Sequence, residues 1–142
     1  MRKLSPLKLS SLFFAVTLLA LPACKTTSYN VASVPPTYAS DASIKIKPNK
    51  TGVGQITVTM DHLAPPKRID KANAGYVVWL LVGEQAPVKL GALEYNEKKR
   101  RGVLHATTPQ KKFQLQITIE KSLSVQAPTG TTIVKHSVTS KH

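Results

Sequence analysis

Among its 142 residues the chain has a single cysteine, Cys24, so it cannot form an intramolecular disulfide. It is also poor in acidic residues. Seven Asp and Glu stand against 20 Lys and Arg, and the formal net charge is +13 at pH 7. The stability of the protein must therefore come from a hydrophobic core. Its charge favours anionic partners such as phospholipid headgroups, acidic glycans or nucleic acid.

The short motifs that mark common catalytic sites are missing as well. The chain has no His-Glu-x-x-His, Cys-x-x-Cys or Gly-x-Ser-x-Gly, and no glycine-rich phosphate loop. His105 and His136 would form a metal site only if they lay on neighbouring strands, and a third ligand is not evident. The few acidic residues offer no obvious carboxylate pair. We therefore predict no enzymatic activity, no metal site and no other cofactor.

The longest hydrophobic run is too short to cross a membrane. It covers Leu12–Leu21, follows a positively charged start and ends at Ala23, just before Cys24. A membrane span needs about 20 apolar residues, whereas a charged start, a shorter apolar run and a small final residue are typical of an export signal. We predict that residues 1–23 are a signal peptide.

The end of this segment, Leu21-Pro22-Ala23-Cys24, resembles the lipobox of bacterial lipoproteins, although Pro22 replaces the usual small residue. In that family the cysteine is acylated, with palmitate as a typical chain, and becomes the first mature residue. The resemblance implies a cell-envelope protein that is anchored in a membrane through Cys24. In diderm bacteria an Asp after the cysteine commonly retains such proteins in the inner membrane, so Lys25 implies the outer membrane, facing the periplasm. The alternative is an ordinary secretory signal with an incidental cysteine.

Residues 24–41 are rich in Ser, Thr, Ala and Pro and show no sustained apolar period. We predict that they form the lipidated cysteine and a flexible tether spanning on the order of 20–25 Å. After residue 23 the chain carries 17 Lys and Arg against seven acidic residues, a formal net charge of +10. Export argues against nucleic acid as the partner and leaves anionic lipid or an envelope polymer.

From residue 42 to residue 142 the sequence consists of short alternating segments separated by Pro, Gly and Lys. Phe113, Leu115, Ile117 and Ile119 alternate with polar residues, which predicts a half-buried strand. Seven segments of this kind predict an all-β, immunoglobulin-like antiparallel sandwich, with a small β-barrel as the alternative. The segments are residues 44–46, 56–60, 75–82, 88–93, 103–106, 113–120 and 132–138.

Segment 75–82 is apolar on both faces, which is typical of a central strand. It contains Tyr76 and the only tryptophan, Trp79. Such aromatic residues could stack on a ligand, but a Trp within a continuous apolar strand is more typical of a sandwich core. We predict that both belong to the core.

Three parts of this domain resemble the extracytoplasmic C-terminal domain of anti-sigma-K factors. They are Tyr76–Leu81, Pro87–Gly91, and Phe113–Ser122 leading to Pro128-Thr129-Gly130. The resemblance extends from about residue 43 to 138 and implies a small β-rich domain of a sensor-like kind. The sigma-binding and membrane-spanning helices of that family are replaced here by the leader and the lipid site. The resemblance therefore implies no binding of a sigma factor.

Many of the basic residues lie in predicted loops. If each strand reverses direction, loops 64–73, 96–102 and 121–131 lie at one end of the sandwich, and the chain from Cys24 joins the domain there. We predict that this end contacts an anionic surface, either membrane lipid or an envelope polymer. The alternative is a solvated lysine-rich hairpin that keeps the protein soluble. The residues predicted to make the contact are Lys67, Arg68, Lys71, Lys98, Lys99, Arg100 and Arg101.

These observations predict a lipid-anchored cell-envelope protein with a non-catalytic binding or structural domain. A sensor or regulatory domain related to anti-sigma factors, without the sigma-binding region, is the alternative. A small hydrolase or metal protein is a third hypothesis.

Overall fold

The computed structural model describes residues 25–140; the predicted signal peptide and Cys24 lie outside them. Within this part of the chain, nine strands form two antiparallel sheets that pack face to face. The elements are β1 (Thr27–Ala32), β2 (Asp41–Pro48), β3 (Gly54–Asp61), α1 (Pro66–Ile69), β4 (Gly75–Leu81), β5 (Val88–Ala92), β6 (Glu94–Asn96), β7 (Arg101–Thr108), β8 (Lys112–Glu120) and β9 (Thr131–Thr139). No helix of the described residues is long and apolar enough to cross a bilayer.

The strand order confirms the predicted immunoglobulin-like sandwich. One sheet has the order β1-β2-β3-β7-β6 and the other β5-β4-β8-β9. In immunoglobulin lettering, β2 to β9 are strands A, B, C, C′, D, E, F and G. The two sheets are then ABED, with β1 added beside A, and C′CFG. The sheets do not close into a barrel over residues 25–140.

All seven predicted strands are present, and two further strands were not predicted. β6 has three residues, too few to show an alternating pattern. β1 lies within the segment predicted to be a flexible tether and pairs with β2 over six residues, from Thr27 opposite Ile46 to Ala32 opposite Asp41. The prediction of a tether over 24–41 is therefore wrong for Thr27–Ala32.

The core lies between the sheets and is made by alternate residues of the long strands. Ile44 and Ile46 of β2 and Ile56 and Val58 of β3 are buried there. The facing side chains come from β4 and β8, including Tyr76, Val78, Leu80, Leu115 and Ile117. The alternation recognised in the sequence therefore marks the inward face of each sheet, as expected when successive strand residues point to opposite faces.

Candidate binding surface at the loop end

Four loops meet at one end of the sandwich, which we call the loop end: residues 33–40, 62–74, 97–100 and 121–130. The amide of Leu63 donates to the carbonyl of Arg100 at 2.8 Å, and the amide of Ala74 donates to that of Glu120 at 2.8 Å. The hydroxyl of Ser40 donates to the carbonyl of His62 at 3.2 Å. The last three loops are the B–C, D–E and F–G loops. In immunoglobulin variable domains, B–C and F–G belong to the end that binds antigen.

Aromatic hydroxyls hold the 62–74 loop in place. Tyr76 donates to the carbonyl of Ala64 at 2.6 Å, and Tyr95 donates to that of Leu63 at 2.9 Å. Burial raises the pKa of both tyrosines above the ordinary value, so both hydroxyls remain protonated donors at neutral pH. Arg100 adds a guanidinium hydrogen bond to the carbonyl of His62 at 3.2 Å. The shape of this loop is therefore fixed by side chains of β4, β6 and the loop before β7.

The 121–130 loop closes on a buried carboxylate. Glu120 is fully buried, and its two carboxylate oxygens accept from the amide and hydroxyl of Thr129 at 3.0 and 2.6 Å. Thr118 donates to the same carboxylate at 2.7 Å. Burial by itself raises the pKa of Glu120, but the hydrogen bonds from Thr129, Thr118 and the Gly130 amide outweigh it and hold this pKa below its usual value.

Gly130 allows the loop to approach β8 this closely. A Cβ at this position would lie 1.7 Å from the carbonyl oxygen of Ile119 and 3.0 Å from a carboxylate oxygen of Glu120. The approach is between backbone atoms, so a side chain could not be accommodated by a rotamer change. The run Pro128-Thr129-Gly130 therefore has a structural reason: its threonine binds Glu120 and its glycine permits the contact.

Trp79 is fully buried, but it does not belong to the core between the sheets. Tyr76, Val78 and Leu80 point inward from β4, so Trp79 points to the opposite face of the four-stranded sheet. Its indole donates to the hydroxyl of Thr118 at 2.8 Å. The 121–130 loop lies over this face, where Lys89 donates to the carbonyl of Leu123 at 2.5 Å. The sandwich-core prediction is correct for Tyr76 and wrong for Trp79, because alternation along a fully apolar strand does not show which face is which.

The structure brings all seven predicted contact residues to the loop end. All seven are exposed. Arg101 is bound to Asp61, with 2.5 Å between Nε and Oδ1. The positive charge of the loop end is partly balanced. The seven predicted residues and Lys121 make eight basic residues in or next to its loops, and five acidic residues lie there as well. These acidic residues are Asp41, Asp61, Asp70, Glu97 and Glu120.

Exposed apolar side chains and two clefts are the other features of the loop end. Among the described residues, four large hydrophobic side chains are exposed, and three of them lie in these loops: Val34, Tyr38 and Leu123. A cleft of about 620 Å³ is lined by polar residues such as Asp70, Asn73 and Thr129. A second, of about 510 Å³, lies between Pro65, Pro66, Tyr95 and Leu123, and its wall includes Lys67 and Arg68. Cations, apolar residues and clefts in close proximity are typical of a binding surface.

The two histidines considered as a metal pair lie in different sheets. His105 is on β7 of the five-stranded sheet, where its Nδ1 lies 3.2 Å from the hydroxyl of Thr57. His136 is on β9 of the four-stranded sheet and packs against the ring of Tyr29, with 5.0 Å between centroids. Over residues 25–140, no three His, Cys, Asp or Glu side chains are grouped as metal ligands. The two histidines are therefore not on neighbouring strands.

The chain leaves the sandwich toward Cys24 at the end opposite to the loop end. β1 runs antiparallel to β2, so its first residue, Thr27, lies beside Ile46, far from the start of β2. Tyr29 fixes this position, because its hydroxyl donates to the carbonyl of Thr139 at 2.8 Å at the end of β9. The prediction that the chain joins the domain at the basic loops is therefore wrong. The prediction placed the start of β2 correctly at the loop end. It missed β1, which precedes β2 and runs back to the opposite end.

Comparisons with known proteins add no family to this description. No family model, curated protein or solved structure matches the chain. The fold is therefore identified from the strand order, and the function must be argued from the geometry of the two ends.

Proposed function

We propose that the chain is a lipid-anchored protein of the cell envelope whose β-sandwich is a non-catalytic binding domain, with the loop end as its binding surface. One observation carries the proposal. The chain leaves toward Cys24 at one end of the sandwich. The clefts of about 620 and 510 Å³ lie at the other end, as do three of the four large apolar side chains that are exposed among the described residues. A lipid on Cys24 would leave the loop end free to meet a partner. In a diderm bacterium the protein would be anchored in the outer membrane and face the periplasm.

The dimensions of the sandwich favour this division of roles. Its central strands have eight residues, which corresponds to roughly 25 Å between the two ends. Charges in solution are screened over about 8 Å at physiological salt. The basic side chains of the loop end therefore stand too far from a bilayer at the opposite end to be bound by it, and they remain available to another anionic partner.

The chemistry of the loop end favours an acidic envelope polymer as that partner. Lys67, Arg68, Lys98 and Lys99 are exposed there and would contact acidic groups, while Tyr38 and Leu123 offer apolar contacts. An acidic polysaccharide carries carboxylate or phosphate groups beside the apolar C–H faces of its sugar rings, so it fits such a mixture. We do not expect nucleic acid to be the partner, because the sequence indicates export.

A pull-down tests the binding role. The mature protein is incubated with peptidoglycan or lipopolysaccharide, and the bound fraction is compared with that of K67E/K98E/K99E. The matched control K47E/K50E/K112E reverses three exposed lysines at the opposite end. We expect the first variant to lose binding and the control to keep it. Equal binding by all three proteins would contradict the role of the loop end.

The lipid anchor is tested separately. Metabolic labelling with palmitate should modify the wild-type protein, and Cys24→Ser should abolish the label and release the protein from the membrane fraction. An unlabelled but exported wild-type protein would favour the ordinary secretory signal.

A sensor or regulatory domain related to anti-sigma factors is the second candidate. It is favoured by the closed arrangement of Glu120 with Thr129 and Gly130, since these residues belong to the motif on which that resemblance rests. Crosslinking in intact cells distinguishes the two roles. A membrane regulator among the crosslinked proteins would support the sensor, whereas crosslinks to envelope polymer alone would support the binding domain.

A further inference from the structure

We infer that the end of the sandwich opposite to the loop end rests against the anionic headgroups of the membrane, so that the domain stands upright on the bilayer. We call this the lysine end and define it by Lys25, Lys47, Lys50, Lys111 and Lys112. The inference rests on the proposed lipid at Cys24. It replaces the prediction that the basic loops face the membrane.

The connection between the lipid site and the sandwich is short. Only Lys25 and Thr26 separate Cys24 from the first residue of β1. Three residue steps of extended chain reach about 10 Å at most. Because Thr27 is held by its pairing opposite Ile46, the lysine end cannot move far from a bilayer in which Cys24 is anchored.

The distance is comparable to the range of electrostatic attraction. The Debye length is about 8 Å at physiological salt and about 10 Å at 0.1 M. Side chains at the lysine end are therefore within reach of the headgroup potential, whereas those of the loop end lie roughly 25 Å further away. Because the lysine end lies closer to the anchor, the headgroups attract its lysines and not the basic residues of the loop end.

The lysine end also carries the less balanced charge. All five of its lysines are exposed, and Glu84 is the only acidic residue in or next to its loops, 49–53, 82–87 and 109–111. The one pair of a carboxylate with a Lys or Arg among the described residues, Asp61 with Arg101, lies at the loop end. A lysine near an anionic membrane strengthens binding about fivefold, so several lysines at one end form an effective contact.

The orientation is tested on the mature protein attached to vesicles. Cys24 is the only cysteine, so a maleimide lipid couples the chain at the natural position. Lysine acetylation by a soluble active ester, read by mass spectrometry, then reports the exposure of each lysine. On phosphatidylglycerol vesicles, compared with neutral phosphatidylcholine vesicles, we expect at least threefold slower acetylation of Lys47, Lys50, Lys111 and Lys112. Lys67, Lys98 and Lys99 should react equally on both. Protection of the loop-end lysines instead, or no difference at either end, would overturn the inference.

A binding measurement gives an independent readout. The mature protein with Cys24 blocked by iodoacetamide has no tether, so only the charge of the two ends selects between them, and it is titrated with phosphatidylglycerol vesicles at low salt. K47E/K50E/K111E/K112E should bind at least about 100-fold more weakly than the wild type. The matched control K67E/R68E/K98E/K99E should lose much less affinity for the vesicles. A control that weakens binding as much as the first variant would count against the lysine end. The fluorescence of buried Trp79 verifies that each variant is folded.

These experiments separate the inference from the proposed function. The maleimide lipid supplies the anchor, so the orientation is measured whether or not cells acylate Cys24. Failure of palmitate labelling would remove the proposed anchor and leave this result standing. Failure of the orientation test would leave both the anchor and the binding role of the loop end intact.

Discussion

The carboxylate of Glu120 holds the 121–130 loop in place. This loop joins β8 to β9 and is the longest direct connection between two strands of the four-stranded sheet. A carboxylate without partners would be costly to bury. Here it accepts hydrogen bonds from Thr118, from the amide and hydroxyl of Thr129 and from the Gly130 amide. Trp79 extends the network through its bond to Thr118. A single acidic side chain therefore fixes both the loop and the polar contact of the buried tryptophan.

Replacing Gly130 by alanine should be strongly destabilising. The new Cβ would overlap the Ile119 carbonyl, so the loop would have to move and the hydrogen bonds to Glu120 would lengthen. We expect a loss of about 2–3 kcal/mol in the free energy of unfolding, measured by urea denaturation. Gly83→Ala is the control. Gly83 has a φ of 54° and open space, so only backbone strain of about 1 kcal/mol applies. Equal losses for the two variants would contradict the close approach at Gly130.

The stability of the protein should depend on pH through Glu120. Its pKa in the folded protein is lowered from the value of about 4.3 in an unfolded chain. Its contribution is therefore complete above that value and is lost as the pH falls through the folded pKa. Glu120→Gln should lower the free energy of unfolding by about 1–3 kcal/mol at pH 7. This difference in free energy from the wild type should narrow as the pH falls below about 4. Glu84→Gln, at an exposed position, should leave the dependence of the free energy of unfolding on pH unchanged. A difference that stays constant down to pH 3 would show that the charge of Glu120 is not what matters.

At the level of elements, β1 shows how a strand can form without a strong local signal. Its sequence has only two sizeable apolar side chains, Tyr29 and Val31, among Thr, Ser, Asn and Ala. It forms because β2 offers an unpaired edge and because the hydroxyl of Tyr29 binds the backbone of Thr139. Both partners are distant in sequence, so local composition indicated a tether where the structure has an edge strand.

Hydrogen exchange distinguishes the strand from a tether. Amides of β1 that are bonded to β2 should exchange markedly more slowly than those of the 83–87 loop, because they open only when the edge of the sheet opens. Mass spectrometry of peptides covering residues 25–32 and 83–87 provides the comparison within one experiment. Exchange at the same rate in both peptides would show that residues 27–32 are a flexible tether after all.

At the level of the whole molecule, the two ends differ in both charge and shape. The loop end carries more basic residues, but acidic neighbours offset many of them. It holds the clefts of about 620 and 510 Å³, whereas a cleft at the lysine end has about 370 Å³. The lysine end has fewer cations and a single acidic residue in or next to its loops. A domain with these two ends, anchored through Cys24, would present one to lipid and the other to a partner.

The domain should unfold as one cooperative unit. Trp79 reports on the face covered by the 121–130 loop, while far-UV circular dichroism reports on both sheets. A single domain of this size normally unfolds in two states, so the two signals should give the same urea midpoint. An earlier fluorescence transition would show that the loop opens on its own, with the sandwich still folded.

The sequence by itself determined seven of the nine strands of the described residues, and it showed that Ile44, Ile56 and Ile117 point into the core. Alternation is a local property and follows directly from the geometry of a strand. The same reasoning failed at Trp79, where both neighbours are apolar, and at Thr27–Ala32, where the apolar signal is weak. Only the tertiary structure decided that β1 turns the chain back, because an edge strand is stabilised by partners that are far away in the sequence. That one strand moves the path to Cys24 from the loop end to the lysine end.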